Sequence, residues 1–345
     1  MAYSINAKDY FKTKLYVGNS NAGSPNTQSI TGLDFQPSFT WCKNRDAGSN
    51  HALFDSLRGV TKLINSNTGT ADTTVADTLT AFDTNGFTLG TDVNQGVVNN
   101  INQNFVSWNW KGGTTATNTD GSTTTSVSAN PTAGFSVVSY TGTGSVATLG
   151  HGLSTAPTTV LIKRLNTGDW ILGSNGMASW NYVMSLNSDS APANQVNQFN
   201  GTAPTTSLVT LGTEGQTNQS GIGFIMYCFS NIAGFSKGGS YIGNGNSRFI
   251  YTGFKPAFVL GKQLAGGSDW WLFDSARSPS NIANKVVYPN ANAADATNPV
   301  LDLLSNGFKI RTSAAQFNGN GTTYLYLAFA EEPLVSTNGI PATAR

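Results

Sequence analysis

Charge is scarce in this sequence. Asp, Glu, Lys and Arg make up 11% of the 345 residues, and the formal net charge is +1. Soluble domains usually carry about a quarter. No basic cluster stands out, so nucleic acid is not an expected partner. Glutamate occurs only at Glu214, Glu331 and Glu332. Glycoside hydrolysis needs two carboxylates about 5–10 Å apart, and no clustered acidic motif offers them. The other acids are scattered aspartates in turn contexts such as "FDTNG" at Asp83. The two histidines, His51 and His151, have no Gly-x-Ser-x-Gly elbow to serve. With two dispersed cysteines they cannot complete the ligand spacing of a zinc site. Loop oxygens could still hold calcium, though no diagnostic motif marks such a loop. Cys42 and Cys228 fall at non-equivalent places and are expected as free thiols, buried or half-buried. No apolar run is long enough for a membrane span, and the opening "MAYSINAKDYFKTKLYVG" lacks the apolar stretch of a signal peptide. The expectation is a protein that is not an enzyme, with no cofactor, no metal and no membrane insertion.

What the sequence does have is repetition. "GFSVVSYTGTG" begins at Gly134, and "GFSKGGSYIGNG" begins at Gly234. Downstream of each, a proline opens an apolar run: "APTTVLIKR" at Pro157 and "KPAFVLGKQ" at Pro256. The start of the chain has the same layout, with "LYVGN" near Tyr16 and "QPSFTWCKN" at Pro37. Lys43, Lys163 and Lys262 each follow their proline by six residues, and Phe105, Phe224 and Tyr324 follow by 68, 67 and 68. Such agreement marks three tandem copies of one unit.

The closing runs "NFVSWNW", "GFIMYCF" and "TYLYLAF" alternate as strands do. Val106, Trp108 and Trp110, with Ile225, Tyr227, Phe229, Leu325, Leu327 and Phe329, form a consistently large apolar set that should face a core. Ser107 and Asn109, Met226 and Cys228, Tyr326 and Ala328 form the other set, facing solvent, a neighbour or a cover that differs between copies. Asn-Gly pairs at Asn85, Asn175, Asn200, Asn244, Asn306, Asn318, Asn320 and Asn338 favour tight hairpins. Only "NIANKVV" from Asn281 and "AADATNPVLDLLS" from Ala293 suggest helix, and Pro299 interrupts the second. The expected fold is all-β: three tandem antiparallel β-sandwich repeats of jelly-roll or lectin-like type, with seven or eight strands each. Repeat 1 spans 1–111, a Gly/Thr/Ser-rich linker 112–133, repeat 2 134–231, repeat 3 232–333 and a C-terminal tail 334–345.

Two features could carry function. "FDSLR" (Asp55, Arg58) and "FDSAR" (Asp274, Arg277) repeat an Asp-Arg spacing just past a strand, replaced by "LGSNG" in the middle copy. The pair could bind a polar ligand, or could simply close a turn. "DWIL" at Trp170 and "DWWLFD" at Trp270 and Trp271 could offer aromatic platforms to a sugar, or could pack in the core and between units.

The phrases "SYTGTG…GHGL…AP…VLIKR", "FDSLRGVTK", "NGFTLGTD", "VSWNWKGG" and "LAFAEEP" together resemble repeated β-sandwich proteins of tailed bacteriophages, notably phages of marine bacteria. These are structural and tail-associated proteins, and their units look like the concanavalin A-type lectin/glucanase fold. The resemblance covers Phe11 to Pro333 and implies a virion surface protein or appendage, with no catalytic residues carried over. A virion protein also reconciles an extracellular-looking composition with the missing export signal, being made in the host cytoplasm and released by lysis. The expected partners are other virion proteins, host cell-surface polysaccharide and further copies in a homo-oligomer, with a trimer the first guess. Capsid decoration is the alternative role, and a surface depolymerase the weaker one.

Overall fold

A computed structural model describes residues 5–330. The expected tail 334–345, Glu331, Glu332 and the Asn338 turn lie outside them. The chain is all-β, built from antiparallel sheets, and one four-strand order recurs in three segments. In the first, β1 (Phe11–Val17), β2 (Phe39–Asn44), β3 (Ala52–Asp55) and β4 (Asn104–Trp110) pair as β1-β4-β2-β3. In the second, β5 (Phe135–Thr141), β6 (Pro157–Arg164), β7 (Trp170–Ser174) and β8 (Gly223–Ser230) pair as β5-β8-β6-β7. In the third, β9 (Ser236–Ile242), β10 (Phe258–Gln263), β11 (Trp271–Asp274) and β12 (Thr323–Phe329) pair as β9-β12-β10-β11.

The outer layers differ. The first segment has a separate sheet of Gln28–Thr31, Gly86–Leu89 and Leu79–Asp83, and the second a pair, Ala147–Gly150 with Leu208–Leu211. In the third, the core sheet continues from β11 through Ala283–Val287, Ala296–Leu304 and Gly307–Ile310 to Arg248–Tyr251. Both helix candidates are therefore strands. Val286 pairs with Phe273 and Val287 with Leu272, and β-branched residues suit that half-buried pleat. Pro299 sits where the register with Ala283–Val287 shifts, the tolerated place for a residue without an N–H. Among the described residues helix is confined to short turns at Ala7–Asp9, Gly215–Asn218 and Ala315–Asn318.

Residues 112–133 are not a free linker. Thr125–Asn130 pairs along the full outer edge of β5, and Thr115–Asn118 adds a further strand. Val127 is buried in the second segment's own interior. The outermost strand, Thr115–Asn118, is the sheet edge, and a polar Thr/Ser run suits it because its outer edge and most of its side chains stay in water.

The large apolar set of the closing strands does face a core, but that core is shared. Trp110, Phe229 and Phe329, the last residues of β4, β8 and β12 in this set, meet with ring centres 6.2, 5.5 and 5.7 Å apart. Phe11 stacks on Phe329 at 5.4 Å, and Phe39 approaches Tyr227 at 4.4 Å. One cluster thus draws residues from all three segments. The other set points into each segment's own interior, so both faces of every closing strand are covered. Ser107 and Asn109 are fully buried, and Asn109 donates to the Lys12 carbonyl and the Ser107 hydroxyl. Cys42 and Cys228 are free and buried in separate interiors. Burial pushes both thiols up to about 12.

Candidate functional site

The Asp-Arg turns sit where segments meet. Asp55 ends β3, and its Oδ1 accepts from the amides of Leu57 and Arg58 while Oδ2 accepts from Arg58 Nε at 2.6 Å. Arg58 reaches on to Asp72 and to the carbonyls of Leu53 and Lys62. The Tyr227 hydroxyl, from the second segment, donates to Asp55 Oδ2 at 2.8 Å. Burial alone would lower the Arg58 pKa, but Asp55, Tyr227 and Asp72 raise it overall, so the guanidinium stays charged.

The third segment repeats the design against the first. Asp274 Oδ2 accepts from Arg277 Nε at 2.5 Å and from Trp108 Nε1 of the first segment at 3.2 Å. Asp295 bridges Arg277 and, across the junction, Arg45, both at 2.8 Å. In the middle segment Ser174 stands where the aspartates stand. The closing-strand residue that would donate to it is Leu327, which takes the position of Trp108 and Tyr227. Donor and acceptor are thus absent together, leaving a cavity of about 10 Å³ among Thr159, Leu172, Leu260, Trp270, Leu325 and Leu327. All four Asp-Arg residues singled out in sequence belong to closed junctions, not to an open polar site.

The tryptophans do the same. Trp170 donates its indole N–H to the Asn65 carbonyl of the first segment at 2.8 Å, and Trp270 donates to the Ser185 carbonyl of the second at 3.1 Å. His51 takes this position in the first segment, its Nε2 lying 3.2 Å from the Tyr288 carbonyl of the third. Trp41 Nε1 donates to His51 Nδ1 at 2.9 Å, so the ring hydrogen resides on Nε2. Asn67, Asn187 and Asn290, none evident in the sequence pattern, accept from the backbone N–H of 51, 170 and 270. Trp271 points into its own segment against Phe273 and Phe317. All three tryptophans expected as sugar platforms are at most 1% exposed. A sugar could not reach their faces without parting the segments.

The spaced lysines complete the joints. Lys43, Lys163 and Lys262 are fully buried and donate only to carbonyls. Lys43 reaches Asn292 of the third segment, and Lys262 reaches Asp189 of the second. Lys163 holds its own loop through Arg164 and Asn166, and the same loop meets the first segment where Gly168 donates to the Gly69 carbonyl. Burial pushes each ammonium down to about 8. The joints therefore run in one sense, first to third, third to second and second to first, and close a ring.

The profile of a family described as a domain of unknown function (DUF7483) matches residues 6–333. The chain belongs to that family. No curated protein sequence matches it. The DUF7483 match spans all three segments, so the unit it defines is the whole ring of strands. Among the described residues no three His, Cys, Asp or Glu side chains cluster as metal ligands. His151 is occupied locally, with Nδ1 accepting from the Leu153 amide and Nε2 facing the Thr205 carbonyl. No described helix is long and apolar enough to cross a membrane.

What remains open on this DUF7483 chain lies elsewhere. Phe249 and Tyr251, in the strand Arg248–Tyr251, are exposed. With Lys237 and Arg248 they line a shallow groove floored by Gly238, Gly239 and Tyr326. The signal that could have found them is "RFIY" read against its counterparts "QSIT" and "ATLG". Only the central apolar residue is common to all three.

Proposed function

We propose that the chain is three tandem copies of one antiparallel sandwich, and that together they form a structural protein of a tailed-phage virion. The role we assign is a tail fibre or appendage that holds host-surface glycan without cleaving it. The observation that carries this reading is the fate of the repeated polar motifs: Asp55 and Asp274, each held by its own arginine, and Lys43 and Lys262 fasten one segment to the next, while Lys163 holds a loop that lies at such a joint. Repeated chemistry spent on rigidity suits an attachment body. The low charge and the resemblance in "SYTGTG", "VSWNWKGG" and "LAFAEEP" add support. Single sugar sites bind weakly, and a homo-oligomer, with a trimer the first choice, would raise their effective concentration.

The test uses purified chain, susceptible cells and intact particles. Immunogold labelling should place it on the tail, and it should adsorb to cells and be displaced by their polysaccharide without shortening it. Release of shorter fragments would make it a depolymerase. Coating of purified capsids with no adsorption to cells would make it a decoration protein.

A further inference from the structure

Aromatic exposure is concentrated in one strand. Among the described residues the exposed large hydrophobic side chains include two aromatics, Phe249 at 43% and Tyr251 at 60%. Register aligns this strand with Gln28–Thr31 and Ala147–Gly150. Ile30, Leu149 and Ile250 all point inward, opposite Phe87, Val209 and Phe308. The flanking outward positions hold Ser29 and Thr31 in the first segment, and Thr148 and Gly150 in the second. Only the third segment places rings there, and packing does not require them.

The surrounding charge departs in the same place. Lys12 in β1 is neutralised by Asp34 at 2.5 Å. Lys237, its counterpart in β9, has no carboxylate partner among the described residues; it donates to the Tyr251 carbonyl at 2.9 Å and lies 5.2 Å from the centre of the Tyr251 ring. The loop that supplies Asp34 in "GLDFQP" reads "GFKP" here, with Lys255 and no acid. Arg248 is exposed and has no side-chain partner among the described residues. Lys309 stands opposite Phe249 in the ladder. Asp302, next across from Lys309, is taken by Arg311 at 2.9 Å. Gly239 replaces Lys14 of β1, and the absent side chain, which would lie against Tyr326, leaves the groove floor open.

We propose that this groove binds an anionic glycan. The Phe249 and Tyr251 rings take the C–H face of a pyranose, and Lys237, Arg248 and Lys309 meet its carboxylate or sulfate groups. Cations not paired with a carboxylate of their own favour a ligand of opposite charge, and exposed rings beside them mark an interaction surface. This rests on the glycan-binding reading above and gives it a place and a charge.

The test is isothermal titration of the full chain with polygalacturonate, dextran sulfate and neutral dextran, alongside adsorption to susceptible cells. Wild type should bind one of the polyanions, which decides between carboxylate and sulfate, and should not bind dextran. Tyr251→Ala, with an unchanged melting temperature, should bind at least about tenfold more weakly, and Arg248→Ala should bind severalfold more weakly. Equal affinity in Tyr251→Ala would reduce the effect to diffuse charge and overturn the groove. Binding to dextran, or to neither polyanion, would overturn the anionic ligand. Adsorption to cells that survives Tyr251→Ala would sink the groove and leave the glycan-binding reading standing, whereas a wild type that ignores cells and glycans would sink both.

Discussion

Asp55 and Asp274 are carboxylates without water, each held by a guanidinium and by one donor from a different segment. Removing the carboxylate leaves a buried cation, whereas removing the extra donor leaves an ion pair that is still largely satisfied. Asp55→Ala should therefore cost about 3–5 kcal/mol, and Tyr227→Phe about 1.5–3 kcal/mol. Urea unfolding midpoints of the two variants measure the gap, and equal losses would contradict the roles assigned to Arg58 and Tyr227. Titration adds a second residue-scale expectation. Burial holds the His51 pKa well below 6.5, so the unfolded chain binds a proton that the native ring refuses, and stability is lost as pH falls through 6.5. His151 acts in the same direction, while Asp92, pushed up to about 6 by burial, opposes both below that pH. At the alkaline end each lysine, lowered from 10.5 to about 8, is deprotonated in the native state first. Stability should then rise from pH 8 until the thiols, raised from 9.0 to about 12, reverse the trend. The melting temperature should fall from about pH 7 to 6 and climb from about 8 to 9. His51→Gln, which can still accept from Trp41 and donate to Tyr288, should weaken the acid fall.

Among the elements, the strand Thr125–Asn130 differs most from expectation. As part of a linker it would tolerate any substitution, but as the partner of β5 it buries Val127 opposite Val138. Val127→Ala should accordingly lower stability by about 1–3 kcal/mol, read from the denaturant midpoint, and no loss would restore the linker. The strands with clean alternation were legible: the residues of β4, β8 and β12 sort onto their two faces as their side chains suggest. Legibility failed where the deciding partner was distant in sequence. The Thr/Ser run at 125–130 has few apolar residues because the cover on one of its faces is polar: Ser128 is buried against the Ser38 hydroxyl of the first segment, while Val127 faces its own interior. Val286 and Val287 become a strand because Phe273 and Leu272 are there to pair with them. The tryptophans misled for a related reason. A solitary Trp before a strand looks the same whether its face meets water or the backbone of another segment, and the carbonyls of Asn65 and Ser185 lie 105 and 85 residues away from their donors. Phe249 and Tyr251 were missed because their signal is a contrast between copies, which no single copy displays.

For the whole molecule, the shared aromatic axis removes the independence that three domains on one chain would otherwise have. Trp110, Phe229 and Phe329 each lose their packing if any one segment leaves. Heating should give a single transition whose calorimetric and van't Hoff enthalpies agree, as scanning calorimetry can check. Three resolved transitions would show that the segments melt alone. The three joints are not equal in strength, however. The one between the second and third segments has Ser174 and Leu327 in place of the charged pair and its donor, with a small void beside them.

Phe11 stacks on Phe329, so the last closing strand returns to the first opening strand. A ring with that property has no privileged first segment. A tether from residue 330 to residue 5, with a cut between Asp120 and Ser122, would rewrite the order as second, third, first. The architecture should therefore tolerate circular permutation. In a body of this kind, the order in which the segments are spelled out is a property of the gene, and the cycle they make is the property of the protein.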